Sequence, residues 1–146
     1  MTIRRATEQD FDGMADMSEH FLSATPYGTL LDASPDTLVS FMRSLAGLET
    51  AAMWVAESDG RLVGMVAGWV FQHPFSGQPI ASELVWWVEP EARGTVGIRL
   101  LDAFETWAKK RGATGIQMIA PESSSIGALY ERRGYRRVET LYQRVM

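Results

Sequence analysis

From Glu83 to Ile98 the chain reads Glu-Leu-Val-Trp-Trp-Val-Glu-Pro-Glu-Ala-Arg-Gly-Thr-Val-Gly-Ile. An apolar run stops at Pro90, Gly94 and Gly97 follow, and helical spacing begins at once. Glycines let backbone amides approach a ligand, and a helix start leaves its first amides unpaired and partly positive. Arg93, Gly94, Thr95, Val96, Gly97 and Ile98 therefore outline an anion cradle suited to a pyrophosphate. It is not a P-loop, because no Gly-Lys-Ser/Thr follows, and the G-x-G-x-x-G pattern is absent. A plain tight connection from strand to helix would read the same way. Glu83 opens the segment, and two-residue alternation sets it on the face of Val85 and Trp87. Desolvation among such neighbours raises a carboxylate pKa and suits it to take a proton, often through water. The blander alternative is a sheet-surface glutamate paired with an arginine. Glu89 faces the loop and solvent on this reading.

The elements that carry this segment follow from apolar spacing. Residues 3–6 read as a first strand closed by Thr7. Phe11, Met14, Met17, Phe21 and Leu22 recur at helical steps, with Asp10 as an acid in the first turn. Residues 25–32, with Pro26 and Gly28, read as a loop. Ser34 and Pro35 then supply an N-cap and first helical position for a helix burying Leu38, Phe41, Met42 and Leu45. Two strands flank the hairpin turn Asp59-Gly60, and a third spans residues 80–88. Ile98, Leu101, Phe104, Trp107 and Ala108 mark a helix ending near Gly112. A short strand (115–120), a helix (124–133) and two closing strands (135–139 and 141–145) complete the chain. Three antiparallel strands followed by a strand–helix–strand crossover predict an α/β fold with a mixed sheet.

Composition narrows the chemistry. The chain has 146 residues, no cysteine and two histidines, His20 and His73. A thiolate nucleophile and a zinc–thiolate site are excluded, and a histidine metal cluster is not expected. The length suits one domain, residues 1–146. A net charge of −4 argues against a nucleic-acid binder held through phosphates. The first ten residues are polar and the longest apolar runs are short, so neither a signal peptide nor a membrane span is expected, and the expected location is cytoplasmic.

The phrase Val88-Glu89-Pro90-Glu91-Ala92-Arg93-Gly94 resembles V-x-P-x-x-R-G, the entry to the acyl-CoA loop of the GCN5-related N-acetyltransferase (GNAT) family. Leu129-Tyr130-Glu131-Arg132-Arg133-Gly134-Tyr135 resembles that family's later L-Y-x-x-x-G-F helix. The two lie in the family's order, separated by a helix and a short strand, and the resemblance covers essentially the whole chain. Arg93-Gly94-Thr95-Val96-Gly97 departs from the usual R/Q-x-x-G-x-G/A spacing, and Ser123 stands where an asparagine is common.

The resemblance implies a GNAT-type, mostly antiparallel sheet flanked by about four helices. It also implies transfer of an acetyl group from acetyl-CoA, as co-substrate and without a metal, to a primary amine by direct attack on the thioester. The backbone of Trp86, Trp87 and Val88 would pair with the pantetheine arm as an added strand. Ser123 would cap its helix or bond a pantetheine amide. Tyr130 would protonate the leaving thiolate, and Glu83 would aid deprotonation or bind the amine. Tyr27, Trp69 and Asp32 are the expected acceptor contacts, the first and last from the segment where this family builds specificity. The acceptor would be a small molecule or a protein amine, and the protein a monomer or homodimer. The rival reading is a non-catalytic acyl-CoA-binding or protein-interaction module on the same fold. His73 reads as a loop histidine. Arg132, Arg133, Arg136 and Arg137 form either a solvated face or an attraction for coenzyme phosphates. Residues 1–73 hold four basic and ten acidic side chains (−6), and residues 74–146 hold ten basic and eight acidic (+2).

Overall fold

A computed structural model describes residues 1–122 and 124–146. Strand β1 (Thr2–Arg5) leads through a 3-10 turn into α1 (Phe11–Ser23), the single-turn α2 (Tyr27–Leu30) and α3 (Pro35–Ala46). Strands β2 (Ala51–Ser58), β3 (Arg61–Gln72) and β4 (Pro79–Val88) follow, then α4 (Thr95–Lys110), β5 (Gly115–Gln117) and α5 (Gly127–Arg132). The five strands form one sheet in the order β1-β2-β3-β4-β5, antiparallel except for the parallel pair β4–β5. That parallel pair requires a crossover, which α4 supplies.

Local chemistry explains several boundaries. Ser34 accepts the amide of Thr37, and Pro35 occupies the first turn of α3. Asp59 and Gly60 both take positive φ, 53° and 73°, the signature of a two-residue hairpin matched to strand twist. The Asp10 carboxylate accepts the Thr7 amide at 2.8 Å and the Arg4 guanidinium at 2.8 Å. The Arg4 bond holds its pKa down at about 2, against the opposing effect of burial.

The sheet is covered on both faces. Phe11, Met14, Met42 and Leu45 pack under α1 and α3 with Met53, Val55, Met65 and Trp87. Leu100, Phe104 and Ala108 of α4 pack on the other face with Trp54, Val66 and Ala81. Gly68 is required there, since a Cβ would lie 2.5 Å from the Phe104 ring and from the Ser82 carbonyl oxygen.

The sequence expectations differ from the structure in several places. The segment read as a loop at 25–32 contains α2, which brings the α-helices among the described residues to five. β5 is shorter than expected, and α5 begins later. Residues 135–139 and 141–145 form no strand, and residues 136–146 are exposed throughout. Finally, β4 carries a bulge: Ala67 pairs with Val85 and Gly68 with Glu83, which leaves Leu84 extra.

Candidate active site

The bulge decides where Glu83 points. Directly paired antiparallel residues share a face, and Gly68, the partner of Glu83, faces Phe104 under α4. Val85 pairs with Ala67 of the opposite layer, where Trp87 also lies. Glu83 therefore stands on the α4 face, not on the face of Val85 and Trp87 that unbroken alternation predicts. It is 5% exposed. Burial raises its pKa to about 7, partly opposed by a hydrogen bond from the Ile119 amide to Oε2 at 2.9 Å.

Tyr130, on α5, comes to the same place. Its side chain is buried, and its hydroxyl donates to the Ile119 carbonyl oxygen at 2.8 Å. Burial first, then the nearby Glu83 carboxylate, pushes the phenol pKa well above its usual value. The two groups singled out in the sequence thus meet on one residue, taking its N–H and its C=O. Ile119 itself carries no sequence signal beyond lying within the strand expected over 115–120, in the part that β5 leaves out.

The β4–β5 pairing runs only from Ile80↔Gly115 to Ser82↔Gln117. Beyond it β4 continues to Val88 with no strand on its outer side among the described residues, so the main-chain edge at Trp86, Trp87 and Val88 is open to a strand there, apart from the Val88 carbonyl oxygen, which accepts from Arg93. The side chains of Trp86 and Trp87 point to opposite layers. Both indole N–H groups are buried without a hydrogen-bond partner among the described residues. Trp86 lies beside Tyr130, with ring centroids 5.9 Å apart. Trp87 meets the edge of Phe21 at 6.2 Å, and Phe21 stacks on Tyr27. Tyr27 thereby joins an aromatic chain that reaches β4. Trp69 does not join it: on β3 it pairs with Ser82 of β4 and remains more than a third exposed. Asp32 is exposed.

Past β4 the chain makes a 3-10 turn (Pro90–Ala92) and reaches Gly94, whose φ of 112° few L side chains adopt. α4 starts at Thr95, so Thr95, Val96, Gly97 and Ile98 form its first turn. Their amides are the unpaired donors of a sixteen-residue helix. Gly97 is a packing glycine inside the helix, because a Cβ would sit 3.3 Å from the Trp86 ring. Arg93 turns back, donating Nε to the Val88 carbonyl oxygen at 3.3 Å with its guanidinium 5.2 Å from the Trp87 ring centroid. Ser123 lies outside the described residues.

Two further side chains depart from expectation. Glu89 does not face solvent: it is largely covered and contacts Nδ1 of His20 on α1 at 2.7 Å, which raises the histidine pKa. Arg133 bonds Asp102 at 2.7 Å and Glu105 at 2.6 Å on α4, and Tyr135 donates to Glu105 at 2.9 Å. Arg133 therefore fastens α5 to α4, while Arg132, Arg136 and Arg137 remain exposed.

Comparison with known proteins agrees with this architecture. The aminoglycoside antibiotic 6'-N-acetyltransferase of Acinetobacter haemolyticus is 20% identical, with a TM-score of 0.76 over 100% of this chain and 98% of that one. A predicted acetyltransferase with acetyl-CoA from Clostridium acetobutylicum is 15% identical, with a TM-score of 0.79 over 97% and 94%. The ribosomal-protein-alanine N-acetyltransferase of Brucella melitensis biovar Abortus 2308 is 20% identical, with a TM-score of 0.75 over 99% and 98%. At these identities the likeness is one of fold. Among curated proteins no sequence matches significantly. The sequence profile of the acetyltransferase (GNAT) family matches residues 14–135, and the chain belongs to that family.

Proposed function

We propose that the chain, acting as one domain over residues 1–146, is a cytoplasmic acetyl-CoA-dependent N-acetyltransferase for a primary amine. The observation that carries this reading is the outer edge of β4, left unpaired by any strand among the described residues beyond Ser82, leading through a short turn to the N-terminus of α4. A pantetheine amide can add to such an edge as a strand, and a pyrophosphate fits the unpaired amides of Thr95, Val96, Gly97 and Ile98 beyond Gly94. The two partnerless indoles of β4 also suit a site that is completed by a ligand. The bound coenzyme would supply a thioester, an acyl donor already activated toward amines.

Glu83 and Tyr130 then divide the proton work. The amine nitrogen bonds to the acyl carbon as the carbon–sulfur bond breaks. The nitrogen loses its proton to Glu83, directly or through water, and the sulfur leaves as a thiol after taking one from Tyr130. A carboxylate with a pKa of about 7 is an effective base near neutral pH, where an ordinary glutamate is a weak one. The phenol keeps its proton throughout that range, so the acid is always loaded. Delivering that proton exchanges its bond to the Ile119 carbonyl oxygen for one to sulfur, near-neutral in hydrogen-bond count. For the acceptor contact, the aromatic chain from Tyr27 through Phe21 to Trp87 supports Tyr27.

The test is thiol release from acetyl-CoA with purified protein and a panel of small amines and peptides, beside coenzyme binding by calorimetry. Binding with amine-dependent release supports the enzyme. Tight binding with no release on any amine identifies a non-catalytic binding module.

A further inference from the structure

The turn that carries Gly94 leaves the sheet at Glu89. The Glu89 amide donates to the Val63 carbonyl oxygen of β3 at 2.9 Å, and its carbonyl oxygen accepts the Ala92 amide at 2.9 Å. Three polar side-chain contacts among the described residues then hold the turn. Arg61 meets Glu91 at 3.2 Å, but both side chains are more than half exposed, and such pairs hold little. Arg93 bends back onto Val88 and Trp87. The remaining contact is Glu89 with His20 at 2.7 Å, and here the Glu89 side chain is only 14% exposed. His20 stands in the last turn of α1, so this pair ties the turn to a different layer. Phe21, the next residue of α1, meets the Trp87 ring on which Arg93 lies.

We propose that His20 and Glu89 are positioning residues: their pair fastens the turn to α1 so that Gly94 and the first amides of α4 stand ready for the coenzyme's pyrophosphate, and fastens it more tightly while the imidazole is protonated. The inference rests on the acetyl-CoA reading for its ligand, and on these contacts alone for the held turn. Charge favours the protonated imidazole from every side that faces it. Glu89 approaches from the turn, Asp16 and Glu19 lie on α1, and the carbonyls ending α1 are partly negative. Arg93, the cation of the same turn, is engaged with Val88 and Trp87. The hydrogen bond to Glu89 is the largest of the effects that hold the histidine pKa above its ordinary 6.5. The His20 side chain is 58% exposed, so solvent pH reaches it. When protonated it forms an ion pair; when neutral, Nδ1–H can still donate to Glu89, but the attraction of a full charge is gone. The contribution is therefore complete below 6.5 and is lost as pH rises through the raised value.

Acetyl-CoA calorimetry across pH, with hydrogen–deuterium exchange of residues 91–96 in the free protein, tests it on the wild type and the variants His20→Gln, His20→Lys and Glu89→Gln. His20→Gln should weaken acetyl-CoA binding about fivefold relative to wild type at pH 6, a ratio that shrinks toward one by pH 9. Taking the ratio at each pH cancels the coenzyme's own ionisation and that of Glu83. His20→Lys restores a cation that does not titrate in this range, so it should bind like wild type at pH 6 and keep that affinity at pH 9. Glu89→Gln should match His20→Gln, and the two together should be no weaker than either alone. Exchange in the turn should be faster in His20→Gln than in wild type at pH 6, with an unchanged circular dichroism spectrum. A ratio that does not vary with pH, or a turn whose exchange is unaltered, overturns the proposal. So does a loss on His20→Gln with none on Glu89→Gln, which would mean that His20 touches the phosphates directly. If the wild type binds no acetyl-CoA, the proposed function falls, and exchange in the turn alone decides whether the pair holds it.

Discussion

Glu83 is a costly residue where it stands, and the cost has a measurable sign. Its folded pKa of about 7 lies above the ordinary 4.5, so between these values the folded chain binds more protons than the unfolded one. Stability therefore falls as pH rises from 4.5 through about 7, and levels off beyond. Glu83→Gln keeps an oxygen for the Ile119 amide but has no charge to bury. Urea titrations should show it more stable than wild type at pH 8 by up to about 3 kcal/mol, with little difference near pH 4. Activity should move the other way. Wild-type kcat/KM should climb with pH to a plateau above about 7. The variant should lose that inflection and fall by about 10²–10⁴-fold. Tyr130→Phe removes the donor to the Ile119 carbonyl oxygen. Turnover should drop by about 10²-fold or more while coenzyme affinity stays nearly intact. Unchanged steady-state turnover would remove Tyr130 from the acid role. A modest loss of stability, about 1–3 kcal/mol, is expected from the carbonyl left unpaired.

At the scale of elements, the unit proposed to hold the coenzyme is β4 with its bulge, its outer edge and the turn into α4. Gly94 is the pivot of that turn. Gly94→Ala forces a side chain onto a φ of 112°, a strain of about 1–3 kcal/mol that the chain can relieve by shifting the first turn of α4. Coenzyme affinity measured by calorimetry should weaken about tenfold, a loss of about 1.4 kcal/mol. Gly77→Ala is the control: its φ of 67° carries comparable strain in the β3–β4 connection, and coenzyme affinity should not change. What the sequence discloses about these elements divides along physical lines. Ser34-Pro35 and Asp59-Gly60 act through their own backbones, so helix start and hairpin could be read directly. The strand into Gly94 and the helix after it were legible for the same reason. The extra residue at Leu84 was not, because a bulge is defined by the partner strand, and nothing in Leu84 distinguishes it from its neighbours. The alternation that placed Glu83 beside Val85 failed at that residue, although the desolvation inferred from apolar surroundings was found on the opposite face. Glu89 was misplaced because its cover, His20, comes from α1, far away in sequence. The closing strands rest on composition alone, and residues 135–146 pair with no strand among the described residues.

Charge is the property that belongs to the whole molecule, and the fold gives its uneven division along the chain a spatial meaning. The acidic first half, residues 1–73 at −6, builds β1, β2, β3 and the α1–α3 layer. The second half, residues 74–146 at +2, builds β4, α4, β5 and α5, including the free edge and helix terminus argued to hold an anionic coenzyme. An acceptor approaching past α1 and α2 meets the negative half. Fields of this kind act on encounter more than on the bound state, and their reach is set by salt, from about 30 Å at 0.01 M to about 8 Å at 0.15 M. Two acceptors of matched size, one with a second ammonium group and one with a neutral isostere, should therefore separate by kcat/KM at low salt. The cation should be favoured by about tenfold or more, and the ratio should shrink toward one as salt is raised. The salt series must be run with saturating coenzyme, because the coenzyme is anionic and its own capture by the positive half also weakens with salt. Glu83 adds a check by pH: its ionisation near 7 adds a buried negative charge, so the preference for the cation should strengthen from pH 6 to pH 8. If the neutral acceptor is equal or better at low salt, the charge of residues 1–73 serves solubility, and specificity rests on contacts such as Tyr27 alone.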